Sequence, residues 1–199
     1  MPGGTPGAAG SEAADAPEAR RPRGPLDVGA LLRERIRDVP DFPRPGVLFK
    51  DIAPLLADHV SFAHTVDAIV AHHGRGTVDK VVGIEARGFI VAAPVAYHFG
   101  AGVVPVRKSG KLPSATYART YDLEYGTATL EVHRDAFAPG DRVLIVDDVL
   151  ATGGTVEAAA HLVAQAGGEV AGCSVVIEIA ALGGRARLAG LDVHALVTY

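Results

Sequence analysis

The sequence contains no tryptophan and only one cysteine, Cys173, among its 199 residues. A single cysteine excludes an internal disulfide, so we expect a reducing compartment, the cytoplasm. No apolar run approaches the roughly 18 residues of a transmembrane helix, and the first residues do not resemble a signal peptide. Basic residues are not in excess, since the net charge is -4 and the pI ≈ 6.0. This composition predicts a globular protein without nucleic-acid or membrane partners.

Large apolar side chains are also scarce at the amino end. Residues 1–25 contain five Gly, five Pro and six Ala, but no Val, Ile, Leu, Phe or Tyr. Such a segment buries too little apolar surface to offset its ordering entropy. We therefore predict a disordered, low-complexity tail over 1–25 and one domain over 26–199.

From residue 26 onward, strand-like and helix-like segments alternate. Asp27 is predicted to cap a first helix, and Ser61 a second helix that runs toward His73. Strands are predicted at 80–84, 103–106, 127–133, 142–146, 170–179 and 193–197. This alternation predicts an α/β fold with a mostly parallel central sheet flanked by helices.

The clearest chemical motif is Val143-Leu144-Ile145-Val146-Asp147-Asp148-Val149-Leu150-Ala151-Thr152-Gly153-Gly154-Thr155. An apolar strand ends in two carboxylates, and a Thr-Gly-Gly-Thr loop then opens a helix. Glycines and a helix N-terminus bind an anion, while carboxylates accept hydrogen bonds from vicinal ribose hydroxyls. The motif predicts a ribose 5-phosphate site formed by Asp147, Asp148, Ala151, Thr152, Gly153, Gly154 and Thr155.

This motif resembles the phosphoribosyl-diphosphate signature of the type I phosphoribosyltransferases. Further segments narrow the resemblance to the members that act on adenine. They are Asp41-Phe42-Pro43-Arg44-Pro45-Gly46-Val47-Leu48-Phe49-Lys50-Asp51-Ile52, Glu85-Ala86-Arg87-Gly88-Phe89, Val106-Arg107-Lys108-Ser109-Gly110-Lys111-Leu112-Pro113 and Tyr121-Asp122-Leu123-Glu124-Tyr125-Gly126-Thr127. The resemblance covers the chain from about residue 26 and implies the type I phosphoribosyltransferase fold.

The resemblance implies a purine-salvage reaction in which adenine and phosphoribosyl diphosphate give AMP and diphosphate. It implies Mg²⁺ as cofactor, held through substrate phosphates and water rather than directly by protein ligands. A homodimer is implied as well. Alternatives are a 6-oxopurine or xanthine phosphoribosyltransferase, and a non-catalytic phosphoribosyl-binding regulator.

Departure of diphosphate requires cations, and the resemblance assigns this role to a further set of residues. The family often has a non-proline cis peptide within the stretch that corresponds to Glu85-Ala86-Arg87. Arg107 is expected either to bind diphosphate in its own subunit or to reach a neighbouring subunit's site. The implied diphosphate ligands are Arg87, Arg107, Lys108, Lys111 and Tyr125.

Residues 108–126 are polar and without clear periodicity, which predicts a lid loop that excludes water. Within it, Glu124 is expected either to stabilise positive charge at the anomeric carbon or to handle the proton of the base. The implied catalytic residues are Glu124, Arg87 and Asp148.

The purine is expected at a small N-terminal hood, residues 26–52. Prolines and Gly46 hold the chain before Leu48, Phe49 and Lys50 out of regular structure, leaving backbone groups able to face a ligand. Phe49 is expected to stack on the adenine ring.

Three other features are interpreted without a catalytic role. His72 and His73 are expected to interact with a helix C-terminus rather than with a metal. Cys173 is expected to be an inert core residue, and Glu178 to have an edge or interface role.

Overall fold

A computed structural model describes residues 3, 27–122 and 126–199 of the chain. The predicted tail therefore lies, apart from Gly3, outside the described residues, as do Leu123, Glu124 and Tyr125. The helices of the described part are α1 (Val28–Arg33), α2 (Ala53–Ala57), α3 (His59–His73), α4 (Arg87–Phe99), α5 (Gly154–Gln165) and α6 (Gly184–Arg187), and a 3₁₀ helix spans Ala180–Leu182. The strands are β1 (Arg37–Pro40), β2 (Leu48–Asp51), β3 (Lys80–Ile84), β4 (Gly102–Lys108), β5 (Thr116–Asp122), β6 (Thr127–His133), β7 (Arg142–Leu150), β8 (Glu169–Glu178) and β9 (Val193–Thr198).

The described residues form a main sheet of seven strands in the order β5-β6-β4-β3-β7-β8-β9. Strands β4, β3, β7, β8 and β9 are parallel, and β5 and β6 add an antiparallel pair at one edge. The predicted mostly parallel α/β sheet is confirmed.

Helices cover both faces of this sheet. Successive residues of a strand point to opposite faces, so each buried strand contributes side chains to two cores. Val143 and Ile145 of β7 pack in a core cluster with α5. Leu144 and Val146 of the same strand join a second cluster with α1, α3 and α4. Burial on both faces explains why β7 is a continuous apolar run.

The helix starts were predicted with mixed success. The Asp27 side chain accepts a hydrogen bond from the Ala30 N–H at 3.0 Å and caps α1, as predicted. The predicted cap at Ser61 is wrong, because Asp58 caps α3 by accepting from the Ser61 N–H at 2.8 Å. Ser61 is instead buried within the first turn of that helix.

The predicted lid loop contains regular structure. Residues 116–122 form β5, which pairs with β6 from Thr116↔His133 to Asp122↔Thr127. The expectation of an irregular segment is therefore wrong for these seven residues. Strand β5 lies at the edge of the sheet and has no fully buried residue. Its sequence therefore shows no alternation of apolar and polar residues.

The N-terminal hood is a separate two-stranded antiparallel sheet formed by β1 and β2. Two ion pairs cross it, Arg37 to Asp51 at 2.6 Å and Lys50 to Asp38 at 2.6 Å. The connecting turn has a cis Phe42-Pro43 bond, and Asp41 at φ 57° accepts a hydrogen bond from the Gly46 N–H. This places the loop before Leu48 beside the carboxyl ends of the main strands.

Candidate active site

Two adjoining cavities lie at the carboxyl ends of β3 and β7, under the hood. The larger has a volume of about 550 Å³ and the smaller about 480 Å³. They share Val47, Val149, Ala151 and Thr155 as lining residues. The larger cavity is additionally lined by Leu48, Phe49, Lys50, Ile84, Glu85, Arg87, Lys108, Tyr121, Ala128, Leu130, Asp147, Asp148, Ile179 and Leu182.

The two carboxylates predicted to bind ribose are buried at the floor of the larger cavity. Asp147 Oδ1 accepts a hydrogen bond from the Asp148 N–H at 2.9 Å. Burial, and next the charge of Asp148, raise the pKa of Asp147 well above its ordinary value. Asp148 Oδ2 is 2.7 Å from Arg87 Nε, but the direction of that N–H does not make a hydrogen bond. Asp148 Oδ2 is thus a buried acceptor without a hydrogen-bond donor among the described residues.

Gly88 lets α4 start directly against the first of these carboxylates. A Cβ at Gly88 would lie 2.9 Å from Asp147 Oδ1 and 3.0 Å from the Val146 carbonyl oxygen. Any side chain larger than hydrogen would displace one of these groups. The close approach also places Arg87, the first residue of α4, over the cavity.

The predicted phosphate loop lines the smaller cavity with Thr152, Gly153 and Thr155. Gly153 has φ 84°, a left-handed conformation, and caps α5 without a side-chain hydrogen bond. The first N–H groups of α5 therefore have no side-chain partner at the helix cap and remain available to an anion. Glu157 in the first turn would repel an anion, but Arg187 holds its carboxylate at 2.7 Å.

The predicted diphosphate cations are not all directed into the cavity. Lys108 and Arg87 line it, whereas Arg107 and Lys111 are not among its described lining residues. Arg107 donates from Nε and Nη2 to the Glu85 carboxylate at 3.2 and 3.3 Å, and from Nη1 to the Lys111 carbonyl at 3.1 Å. Burial alone would raise the pKa of Glu85, but the hydrogen bonds from Arg107 and the Lys108 N–H lower it.

The polypeptide around these cations is fixed by a second carboxylate. Glu131 of β6 accepts from the Ser109 hydroxyl at 2.6 Å and from the Gly110 N–H at 3.0 Å. The Glu85-Ala86 peptide bond is cis, which agrees with the family resemblance. Residues 107–110 are thus tied to Glu85, which follows β3, and to Glu131 of β6.

The hood contributes aromatic and apolar surface to the opposite wall. The centroids of the Phe49 and Phe42 rings are 5.1 Å apart in an edge-on arrangement. The Arg87 guanidinium lies 5.0 Å from the centroid of the Phe49 ring. The Lys50 ammonium contacts Asp38 and lies 3.9 Å from the Tyr199 ring centroid. The Lys50 ammonium is therefore bound by Asp38 of the hood and by the ring of the C-terminal Tyr199.

Several residues that line the cavities were not predicted from the sequence to belong to the site. Tyr121 accepts a hydrogen bond from the Thr155 hydroxyl at 3.2 Å and so connects β5 with the phosphate loop. Ile179 and Leu182, which follow β8, complete the wall of the larger cavity. Tyr121 lies in the segment 121–127 that carries the family resemblance, but nothing in the neighbouring sequence indicated its hydrogen bond with Thr155.

Comparison with known proteins identifies the family of the chain. The sequence profile of the phosphoribosyl transferase domain matches residues 56–190. The adenine phosphoribosyltransferase of Acidothermus cellulolyticus is 63% identical over 173 residues, covering 87% of this chain and 98% of that protein. The chain belongs to the adenine phosphoribosyltransferase family. Solved structures of adenine phosphoribosyltransferases have the same fold.

Two of these structures show how far the similarity extends. The enzyme of Rhodothermus marinus has a TM-score of 0.82 and 51% identity, over 86% of this chain and 98% of its own. The Saccharomyces cerevisiae enzyme, solved with an imino-altritol bisphosphate and adenine, has a TM-score of 0.81 and 36% identity, over 85% and 98%. The type I phosphoribosyltransferase fold expected from the sequence is confirmed.

Proposed function

We propose that this protein transfers the phosphoribosyl group of 5-phosphoribosyl 1-diphosphate to adenine, giving AMP and diphosphate in purine salvage. The observation that carries the proposal is the juxtaposition of Asp147 and Asp148 with the open N-terminus of α5, in cavities that hood residues line. Paired carboxylates suit ribose hydroxyls, a helix N-terminus suits a phosphate, and apolar surface suits a purine.

The phosphoribosyl group is held at both ends in this proposal. The 5-phosphate accepts hydrogen bonds from the backbone N–H groups of 151–155 and from the Thr152 hydroxyl. Its ribose hydroxyls donate to Asp147 and Asp148, of which the buried Oδ2 of Asp148 has no donor among the residues described. This fixes the anomeric carbon between the hood and Arg87.

In the reaction, adenine N9 forms a bond to the anomeric carbon while the bond from that carbon to the diphosphate oxygen breaks. The electron pair of the broken bond leaves with diphosphate, and the N9 proton of adenine is released to the solvent. Arg87 and Lys108 stabilise the charge of the departing group, and Asp148 stabilises the positive charge that develops on the sugar. Glu124 and Tyr125 remain predictions from the resemblance, since both lie outside the described residues.

Mg²⁺ fits the oxygen donors that the cavity offers. It takes carboxylate and phosphate oxygens and keeps several waters, and Asp147 and Asp148 present buried carboxyl groups in the cavity that Arg87 and Lys108 also line. When bound, Mg²⁺ neutralises diphosphate charge. We propose that the substrate phosphates and water hold it, with these two carboxylates nearby.

The purine is recognised by the backbone of the hood. Adenine presents a donor at position 6 and an acceptor at N1, whereas 6-oxopurines present the reverse pattern. A backbone carbonyl facing position 6 and a backbone N–H facing N1, supplied by the stretch 47–50, accept adenine and mispair with hypoxanthine or guanine. Leu48 and Phe49 cover the ring, with Phe49 stacking on it.

We also propose a homodimer in the cytoplasm. Ile90 and Tyr97, seven residues apart on one face of α4, are 48% and 83% exposed and together offer a surface that a second copy of the chain could cover. A single cysteine is typical of proteins from a reducing compartment. Sedimentation of the wild type and of Tyr97→Glu tests the dimer, which the glutamate should dissociate. A monomeric wild type would contradict the proposed dimer.

Among the residues that the structure describes, none of the helices has the length and apolar character of a membrane-spanning segment.

A competition experiment tests the proposed reaction. The protein is mixed with phosphoribosyl diphosphate, Mg²⁺ and equal concentrations of adenine, hypoxanthine, guanine and xanthine, and the nucleotides formed are identified by mass spectrometry. The proposal predicts AMP and an equal amount of diphosphate. A 6-oxopurine nucleotide as main product, or diphosphate without nucleotide, would contradict it.

A further inference from the structure

A cluster of three histidines lies at the end of the sheet opposite the active site. His72 and His73 are the last residues of α3, and His194 is the second residue of β9. The active-site cavity opens at the carboxyl ends of the parallel strands, whereas His194 lies at the amino end of β9. The cluster therefore has no part in the proposed transfer reaction.

The three imidazoles are close enough to share a ligand. One ring nitrogen from each lies within 4.8 Å of the others. The rings of His72 and His194 are parallel, with centroids 3.8 Å apart, and His73 packs edge-on against His72 at 4.8 Å. Asp192 adds a carboxylate, since its Oδ2 lies 3.4 Å from His72 Nε2.

A buried hydroxyl orients two of the rings. Ser174 of β8 is fully buried, and its Oγ lies 2.8 Å from His73 Nε2 and 3.5 Å from His194 Nδ1. Histidine ligands usually use their second nitrogen for such a contact, which fixes the ring and its tautomer. Gly172 permits this packing, because a Cβ there would lie 2.9 Å from His73 Cε1.

We propose that His72, His73 and His194 form a binding site for a divalent transition metal, with Zn²⁺ as the best match and Asp192 or water as the fourth ligand. Three imidazoles and a carboxylate are a ligand set that suits Zn²⁺, whereas Mg²⁺ prefers oxygen alone.

The site requires a rearrangement to close. With Zn–N bonds of about 2.0–2.1 Å, tetrahedral ligand nitrogens lie roughly 3.3 Å apart, so the nitrogens must approach one another. The His72 ring must also turn out of its stack on His194, because an imidazole lone pair lies in the ring plane and both lone pairs have to point at one ion. His72 can supply this movement, because its side chain is 37% exposed. The bound metal would join the end of α3 to β9 and stabilise the folded state.

Titration of the metal-free protein with Zn²⁺ alone, without substrates or Mg²⁺, tests the proposal. We expect one Zn²⁺ per chain by calorimetry, and a rise in Tm of about 5–10 °C when Zn²⁺ is at about 100 times its Kd. Co²⁺ in place of Zn²⁺ should give the visible absorption of a tetrahedral site. Absence of both binding and the Tm shift would overturn the proposal.

Matched variants locate the binding. His72→Gln and His194→Gln should each weaken Zn²⁺ binding at least tenfold and abolish the Co²⁺ spectrum. The control variant His59→Gln changes the exposed first residue of the same helix and should bind Zn²⁺ with the affinity of the wild type. If His194→Gln fails to fold, the half-exposed His72→Gln decides. Unchanged affinity in that variant would show that Zn²⁺ binds elsewhere and would refute the site.

Discussion

Replacing Asp148 with asparagine removes one negative charge from the cavity floor without changing the shape of the side chain. Asp148 is 6% exposed, and its Oδ2 has no hydrogen-bond donor among the described residues. Arg87 Nε is close, at 2.7 Å, but contributes charge rather than a hydrogen bond. This oxygen is therefore positioned to accept a hydrogen bond from a ribose hydroxyl and to present a negative charge to the sugar.

The size of the effect follows from the loss of one charged hydrogen bond. Such a bond contributes about 1.5–3 kcal/mol, which corresponds to a fall in kcat/KM of roughly 10- to 150-fold. Most of the fall should be in kcat, because the negative charge stabilises the sugar more in the cationic transition state than in the ground state.

Initial rates of diphosphate release, with adenine, phosphoribosyl diphosphate and Mg²⁺ varied in turn, give kcat and KM for each substrate. Asp67→Asn is the matched control, since it makes the same charge change on the exposed side of α3 and should leave kcat/KM within about twofold. If Asp148→Asn keeps its fold and loses less than threefold in kcat/KM, the assignment of Asp148 to the ribose is wrong.

Three further outcomes are expected. Thr152→Ala should raise the KM for phosphoribosyl diphosphate about 5- to 30-fold with little change in kcat, since about 1–2 kcal/mol of phosphate hydrogen bonding is lost. A kinetic profile identical to that of Asp148→Asn would contradict this. Phe49→Ala should lower kcat/KM for adenine more than Leu48→Ala does, because stacking area is lost, and neither should switch the preferred base. The opposite order would remove Phe49 from the purine site. Burial raises the pKa of the Cys173 thiol, so a thiol reagent at pH 8 should label the urea-unfolded but not the native protein. Rapid labelling of the native protein would refute the inert-core interpretation.

The buried strands were predictable because their environment imposes a simple sequence pattern. The observed bounds of β3 (Lys80–Ile84) and β6 (Thr127–His133) are those predicted from apolar runs and alternation. The edge strand β5 carried no such signal, since none of its residues is fully buried and only Tyr117 and Tyr121 pack against the core. Asp58 and Ser61 stand three residues apart, and both are good capping residues, so the sequence did not distinguish them.

The site was predictable where a few consecutive residues supply the chemistry. The stretch 147–155 forms the floor of one cavity and the wall of the other because a strand, a turn and a helix follow one another directly. Arg107 shows the limit of this reasoning. Its partner Glu85 is 22 residues away, at the end of the neighbouring parallel strand, so the pair becomes visible only when β3 and β4 are placed side by side. The three-histidine cluster likewise joins residues over 120 positions apart, which is why His72 and His73 suggested only a helix end.

The ratio of kcat/KM for adenine to that for hypoxanthine, each measured alone with saturating phosphoribosyl diphosphate and Mg²⁺, tests the central claim most directly. Two mispaired buried polar groups in the hood cost about 1–3 kcal/mol each, which corresponds to discrimination on the order of 10²–10⁴. We predict that adenine is used at least about a hundredfold better. Comparable values for the two bases would contradict the adenine assignment and leave only the phosphoribosyl site in place.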